Sequence, residues 1–135
     1  MASGKIASTT VTKRLTYGTA AGNFGSNVTR EIITDPASEI AQGSSTIHVF
    51  RTGNVVLVNC SVALSNGAIS ADKALFTLPA EATSLSALYA PVYDDTRHII
   101  ANAGVSVGTN SGVVNLRTAT SISGTIRMTL VYIAA

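Results

Sequence analysis

The residues best suited to chemistry in this sequence lie at positions 93–98, which read Y-D-D-T-R-H. Carboxylates accept hydrogen bonds from vicinal hydroxyls, arginine and histidine donate them, and a phenol ring offers an apolar face. An exposed loop of this kind suits a polyol such as a sugar, or a phosphate-bearing polymer. The alternative interpretation is a solvated turn whose charges pair with one another. The candidate ligand-binding residues are Tyr93, Asp94, Asp95, Arg97 and His98, with Arg51 as a further contributor.

The same residues do not predict a catalytic or metal site. Asp94 and Asp95 are adjacent, so on an extended chain their carboxylates point in opposite directions and do not form the facing pair of a glycosidase. His48 and His98 stand far apart, without a second ligand at the short spacing of metal sites. We also expect no nucleophile elbow. The sequence therefore predicts no enzyme activity, no metal and no cofactor.

The elements that must position these residues are predicted to be β-strands. Residues 47–64 form two alternating apolar runs joined at Gly53-Asn54, where a tight reversal costs little because both residues tolerate positive φ. In the second run, alternate residues from Val56 to Leu64 share one face, and the lone cysteine, Cys60, acts there as a small apolar side chain. We expect a turn at residues 65–67 to end this run.

The remaining strand signals are spread along the whole chain. They predict strands at residues 10–17, 29–34, 73–78, 88–93, 98–107, 113–116 and 124–133. Eight or nine strands without a convincing helix indicate an all-β fold, an antiparallel β-sandwich or barrel. We divide the chain into residues 1–25, a leader with a short strand and a flexible loop, and residues 26–135, the β-sandwich.

Composition restricts the partners. The nine basic side chains are dispersed and the net charge is only +2, so no basic stripe predicts nucleic-acid binding. No apolar run approaches a membrane span and no secretion signal precedes the strands, so we expect a soluble protein without membrane insertion. Charged residues make up 12% of the chain, against about a quarter in average domains, which indicates that something besides water covers part of the surface.

The last predicted strand suggests what covers this part of the surface. Alternate residues from Ile126 to Tyr132 are apolar on one face, while Val131 and Ile133 are apolar on the other. A strand that is apolar on both faces is buried on both sides. Packing of subunits around a three-fold axis is the simplest arrangement that buries it, so we expect a homotrimer.

Three segments in chain order resemble the C-terminal head domains of bacteriophage tail-fibre and receptor-binding proteins. They are F-R-T-G-N-V-V-L-V at residues 50–58, F-T-L-P at 76–79 and G-V-V-N-L at 112–116. The resemblance covers roughly residues 45–134, and it departs from the usual pattern at residues 80–83, where A-E-A-T replaces a glycine and a second proline.

This resemblance implies a trimeric, jelly-roll-like β-sandwich head at the tip of a virion appendage. It implies attachment to saccharides on the host bacterial surface and contacts with other virion proteins. A structural fibre or decoration trimer without a glycan ligand is the alternative, and both predict the same fold.

Overall fold

The computed structural model describes residues 12–17 and 33–135 of the 135-residue chain. The regular structure in these residues is almost entirely β, interrupted by two 3₁₀ turns, Gln42–Ser44 and Ala80–Ala82. The predicted all-β class is confirmed. The eight strands of the described residues are β1 (Thr12–Tyr17), β2 (Thr46–Thr52), β3 (Val55–Ile69), β4 (Lys73–Thr77), β5 (Leu88–Tyr93), β6 (Ile99–Val107), β7 (Val113–Thr118) and β8 (Ile122–Ile133).

These strands form one antiparallel sheet in the order β1-β2-β3-β8-β5-β6-β7-β4. The sheet curls so that one face of each strand from β2 to β8 contributes to a single apolar core. At the β4 edge, backbone bonds from Thr34 N to Thr77 O (2.9 Å) and from Ala37 N to Leu75 O (2.8 Å) occupy the exposed ladder. We call the face that points away from the core the outer face.

The predicted central hairpin is confirmed as β2 and β3. Gly53 has φ 59°, so positive φ is confined to the first of the two turn residues, as in a type II′ turn. Thr52 then pairs with Val55, and the register runs on to Thr46 opposite Ser61. Alternate residues of β3 from Val56 to Leu64 are buried, as the period of two predicts. Cys60 is 4% exposed, and burial raises the pKa of its thiol.

The end of β3 differs from the sequence expectation. Residues 65–67 do not end the strand, because β3 continues to Ile69 and pairs there with Ile122. The register shifts between Leu64 and Ile69, and Gly67 has φ 150°, so the predicted turn residues form an irregularity inside a long strand. Asn66 holds this irregularity by donating from Nδ2 to the carbonyl oxygen of Ile40 at 3.3 Å.

The other strand predictions agree with the structure to within a few residues. The predicted strand at 10–17 is observed as β1, although residues 10 and 11 lie outside the described residues. β1 pairs with β2, so this part of the predicted leader, residues 1–25, belongs to the same sheet as the rest. Of the predicted strand at 29–34, only Ile33 and Thr34 are described, and Thr34 forms an isolated bridge with Thr77.

Within residues 12–17 and 33–135, no helix is long and apolar enough to cross a membrane.

Candidate functional site

The predicted polar stretch at residues 93–98 forms the tight turn between β5 and β6. The carboxylate of Asp94 closes this turn, because its Oδ1 accepts hydrogen bonds from Thr96 N (2.9 Å), Thr96 Oγ1 (2.7 Å) and His98 N (3.0 Å). The backbone adds Asp94 N to His98 O at 2.9 Å and Arg97 N to Asp94 O at 3.0 Å. Asp94 is therefore a structural residue of the turn, and its other carboxylate oxygen remains for a ligand.

These hydrogen bonds also set the protonation of Asp94. The backbone N–H of His98 and the hydroxyl of Thr96 favour the ionised carboxylate, so they lower its pKa below the usual value. The Thr96 hydroxyl also lies 2.9 Å from His98 Nδ1. The imidazole is thus held beside the turn by a hydroxyl that the same carboxylate positions.

Arg97 occupies a backbone conformation that is unusual for its residue type. Its φ is 70°, in the left-handed region that favours glycine, asparagine and aspartate. The side chain is exposed, and its guanidinium makes no hydrogen bond or ion pair with the part of the chain that the structure describes. Its backbone N–H donates to Asp94 O within the turn, which leaves only the guanidinium for a ligand.

Asp95 connects the turn to the neighbouring strand β8. Its Oδ1 accepts from Arg127 Nη2 at 3.0 Å, so the two adjacent aspartates point to different partners, as the sequence predicts. Tyr93 is opposite Arg127 in the register between β5 and β8. Two predicted residues, Tyr93 and Asp95, are thus brought together next to Arg127, and Arg97 lies two residues further along the same turn.

A shallow polar cavity of about 200 Å³ lies on the outer face beside this ion pair. It is lined by Thr46, His48, Asn59, Cys60, Ser61 and Arg127. The sheet register explains the arrangement, because Thr46, Ser61 and Arg127 form one cross-strand row, and His48 and Asn59 form the next. The lining therefore presents hydroxyl, amide, imidazole and guanidinium groups to one small volume.

None of the six lining residues was part of the predicted site, and five of them are polar residues of the outer face: Thr46, His48, Asn59, Ser61 and Arg127. Their common signal in the sequence is the polar position that alternates with buried positions along β2, β3 and β8. That alternation also describes any solvated sheet face. Only the strand order, which places β8 between β3 and β5, brings these residues next to the turn.

Arg51 lies elsewhere. Arg51 pairs with Val56 of β3, whereas the cavity residue Thr46 pairs with Ser61. Val56 and Ser61 are five residues apart, which is about 17 Å along β3 at 3.3 Å per residue. Its guanidinium is bound to backbone and turn groups: Nε to Gly53 O (2.7 Å), Nη1 to Glu81 O (2.7 Å) and Nη2 to Asn54 Oδ1 (3.3 Å). The structure therefore separates Arg51 from the other predicted residues and shows it fastening the β2–β3 turn.

One sequence pattern associated with catalysis is present but lacks the required geometry. Residues 104–108 read G-V-S-V-G, which matches the G-x-S-x-G pattern of a nucleophile elbow. Ser106 lies inside β6 rather than at a strand-to-helix turn, is 4% exposed, and accepts a hydrogen bond from Arg117 Nε at 2.9 Å. This serine is consequently not placed as an exposed nucleophile.

Across the described ranges, no group of three or more histidine, cysteine, aspartate or glutamate side chains could hold a metal ion. The side chains of the site can form hydrogen bonds and charge-assisted contacts. A scan against models of known protein families finds no match for this chain, and a search of curated proteins finds no relative.

Proposed function

We propose that this chain is the head of a bacteriophage tail-fibre tip, located in the virion, that attaches to saccharides on the host bacterial surface. The observation that carries the proposal is the polar cavity on the outer face, which the β5–β6 turn borders through the Asp95–Arg127 ion pair. The three sequence segments that resemble phage head domains supply the biological setting. Saccharide recognition is the part that the side chains themselves support.

The chemistry of the cavity suits a sugar residue. Its volume of about 200 Å³ is below the roughly 300–1,000 Å³ of pockets for drug-sized ligands. In the cavity, Asn59, Ser61 and Arg127 can form hydrogen bonds with ring hydroxyls or with an acidic group. On the turn that borders it, Asp95 accepts from vicinal hydroxyls with its second oxygen, Arg97 and His98 donate, and Tyr93 offers a ring face. Such shallow wet sites bind modestly, because ordered water must be displaced.

The assembly we propose is a homotrimer of jelly-roll-like β-sandwich heads that contacts other virion proteins. Exposed apolar side chains on the outer face support it: Val131 is 64% exposed, Ile133 is 47% and Val55 is 46%. Three copies of a modest site on one head raise the effective affinity for a repetitive polymer through avidity.

The test is binding to purified bacterial cell walls and to a printed glycan array. Replacing both Asp95 and Arg97 by alanine is expected to abolish binding and to leave the melting temperature nearly unchanged, because both side chains are exposed. The matched control is Glu39→Ala with Lys73→Ala. It likewise removes one acid and one base, here a pair 2.7 Å apart, but away from the site.

A third variant, Arg97→Gly, separates stability from binding. Glycine relieves the left-handed strain at position 97, so we expect a melting temperature equal to or above that of the wild type together with weaker binding. Unaltered binding by the folded Asp95→Ala, Arg97→Ala protein would move the site elsewhere. A wild-type protein that binds no cell wall and no glycan would favour the alternative, a structural fibre or decoration trimer.

A further inference from the structure

The outer face carries a second group of side chains, on β5, β6 and β7, that the site described above does not use. Its most conspicuous member is Tyr89, which is 79% exposed, more than any other large hydrophobic residue in the described ranges. A tyrosine ring in the middle of a sheet normally packs against a cross-strand neighbour. Here the register places Ser106 opposite Tyr89, and this small side chain leaves the ring uncovered.

Next to Tyr89, a short chain of hydrogen bonds fixes a guanidinium. Arg117 donates from Nε to the buried Ser106 Oγ at 2.9 Å and from Nη1 to Asp72 Oδ2 at 3.1 Å. Asp72 is held in turn, because its Oδ1 accepts from Thr118 N at 2.8 Å. These bonds, first that from Thr118 N and then that from Arg117, lower the pKa of Asp72. Arg117 Nη2 keeps its N–H donors for a ligand, on a guanidinium plane that is already oriented.

A gap in the side-chain layer separates the aromatic residue from the arginine. Pro91, Gly104 and Arg117 form one cross-strand row, and Gly104 contributes no side chain to it. With neighbouring strands about 4.8 Å apart, the backbones of Pro91 and Arg117 are about 10 Å apart across this gap, and the Arg117 side chain extends toward Ser106 on β6. We call this gap the trough: Tyr89 and Pro91 lie on its apolar side, and Arg117 and Asp72 lie on its polar side.

We propose that this trough is a second saccharide subsite, in which the apolar face of a sugar ring stacks on Tyr89 while its hydroxyls bind Arg117 and Asp72. The proposal rests on the proposed function, since it extends the same ligand along the sheet. Tyr89 and Tyr93 are four residues apart on the outward side of β5, which is about 13 Å. That separation exceeds one sugar ring, so the ligand class is an oligosaccharide or polysaccharide that occupies both subsites.

The experiment compares variants on a printed array of bacterial polysaccharides and of their oligosaccharides in graded lengths. For Tyr89→Ala we expect about tenfold weaker binding to the longer glycans, in line with the loss of one aromatic contact. Tyr89→Phe keeps the ring and is expected to bind like the wild type. Leu85→Ala is the control for loss of exposed apolar surface, because Leu85 is 51% exposed and belongs neither to the trough, nor to the first site, nor to the apolar residues proposed to hold the trimer.

Each outcome decides between the two proposals. Weaker binding by Tyr89→Ala alone among these three variants, confined to the longer glycans, supports the subsite. If Tyr89→Ala binds every glycan as tightly as the wild type does, the subsite is wrong and the first site stands. Equal losses in Tyr89→Ala and Leu85→Ala also overturn it, because the ring would then act only as apolar surface. A wild-type protein that binds no glycan on the array and no purified cell wall overturns both proposals.

Discussion

Three carboxylates of this protein are exposed to solvent and still stabilise the fold, because each accepts hydrogen bonds from the backbone or from a lysine. Asp94 closes the β5–β6 turn, Asp72 caps the end of β7 through Thr118 N, and Glu39 accepts from Lys73 Nζ at 2.7 Å. The pKa of each is lowered, chiefly by the hydrogen bond from His98 N for Asp94, from Thr118 N for Asp72 and from Lys73 for Glu39. Because the pKa values of these three residues are lower in the folded protein, its stability depends on pH.

This arrangement predicts lower stability in acid. A carboxylate whose pKa is lowered by folding stabilises the native state fully above its unfolded value, about 4 for aspartate and glutamate. That contribution is lost as the pH falls through the lower folded pKa. We therefore expect the melting temperature to change little between pH 7 and 5 and to fall below pH 4. The effect per residue is small, because the groups are solvent-exposed.

Thermal melts from pH 7 to 2 measure this prediction, and the comparison protein is the Glu39→Gln, Asp72→Asn, Asp94→Asn triple variant. It is expected to melt at a lower temperature at pH 7 and to lose less on acidification. Parallel curves for the two proteins would show that other groups govern the acid transition.

Part of the site at residue scale was predictable. The divergence of Asp94 and Asp95 follows from adjacency alone, and the structure shows them with different partners. Arg127 was not predictable as a neighbour, because 32 residues separate it from Asp95 and only the β5–β8 pairing joins them. Arg51 was predicted as a ligand-binding residue, but its guanidinium donates to the backbone carbonyls of Gly53 and Glu81. The sequence does not show which carbonyl groups will lie within reach of an arginine.

Strands β5 and β6 approach each other closely at Gly104, the residue that leaves the gap in the trough. A Cβ built at position 104 would lie 2.9 Å from the carbonyl oxygen of Ala90, a distance at which backbone must move. Glycine here permits β5 and β6 to approach near an irregular stretch of their pairing, where the register shifts between Pro91 and Tyr93.

Gly104→Ala is therefore expected to destabilise the protein by roughly 1–3 kcal/mol, the usual cost of overpacking. Gly43→Ala is the matched control, because a Cβ at position 43 would meet nothing within 4 Å and we expect little change there. Urea unfolding of the two variants and the wild type gives the difference in the free energy of unfolding. Equal stabilities for the two variants would mean that the sheet relaxes around the added methyl group.

The alternation of buried and exposed residues made most strands predictable as elements, since it depends only on local geometry. The end of β3 could not be predicted, because serine, asparagine and glycine at residues 65–67 favour turns and bulges alike. What decides between the two is tertiary: β8 continues beside β3, and Asn66 bonds to the carbonyl of Ile40. Such long-range partners leave no local trace in the sequence.

At the scale of the whole molecule, the strand order is the feature that organises everything else. It inserts β8, the last strand, between β3 and β5, and so joins the central hairpin to the strands of the β5–β6 turn. No pattern in the sequence indicates this order, because every strand here alternates in a similar way. The same insertion places the apolar outer residues of β3 and β8 side by side, with Val55 opposite Ile133 and Leu57 opposite Val131. We call these four residues the apolar outer patch.

The apolar outer patch underlies the prediction of a homotrimer. About half of the side chain is exposed at Val55, Val131 and Ile133, so burial against another copy contributes about 1 kcal/mol for each. Wild-type protein at micromolar concentration is expected to scatter light with three times the 13.8 kDa chain mass. Val131→Lys places a charge in the centre of the patch and is expected to give a folded monomer, since burying an unpaired ammonium is costly.

Ile99→Lys is the matched control for this experiment, because Ile99 is also an exposed apolar strand residue (61%) but lies on β6, outside the apolar outer patch. It is expected to remain trimeric. A trimeric Val131→Lys protein would place the subunit contact on another surface, and a monomeric wild-type protein would rule the trimer out. In that last case the glycan sites would act singly, and binding to cell walls would have to arise from the affinity of one chain without avidity.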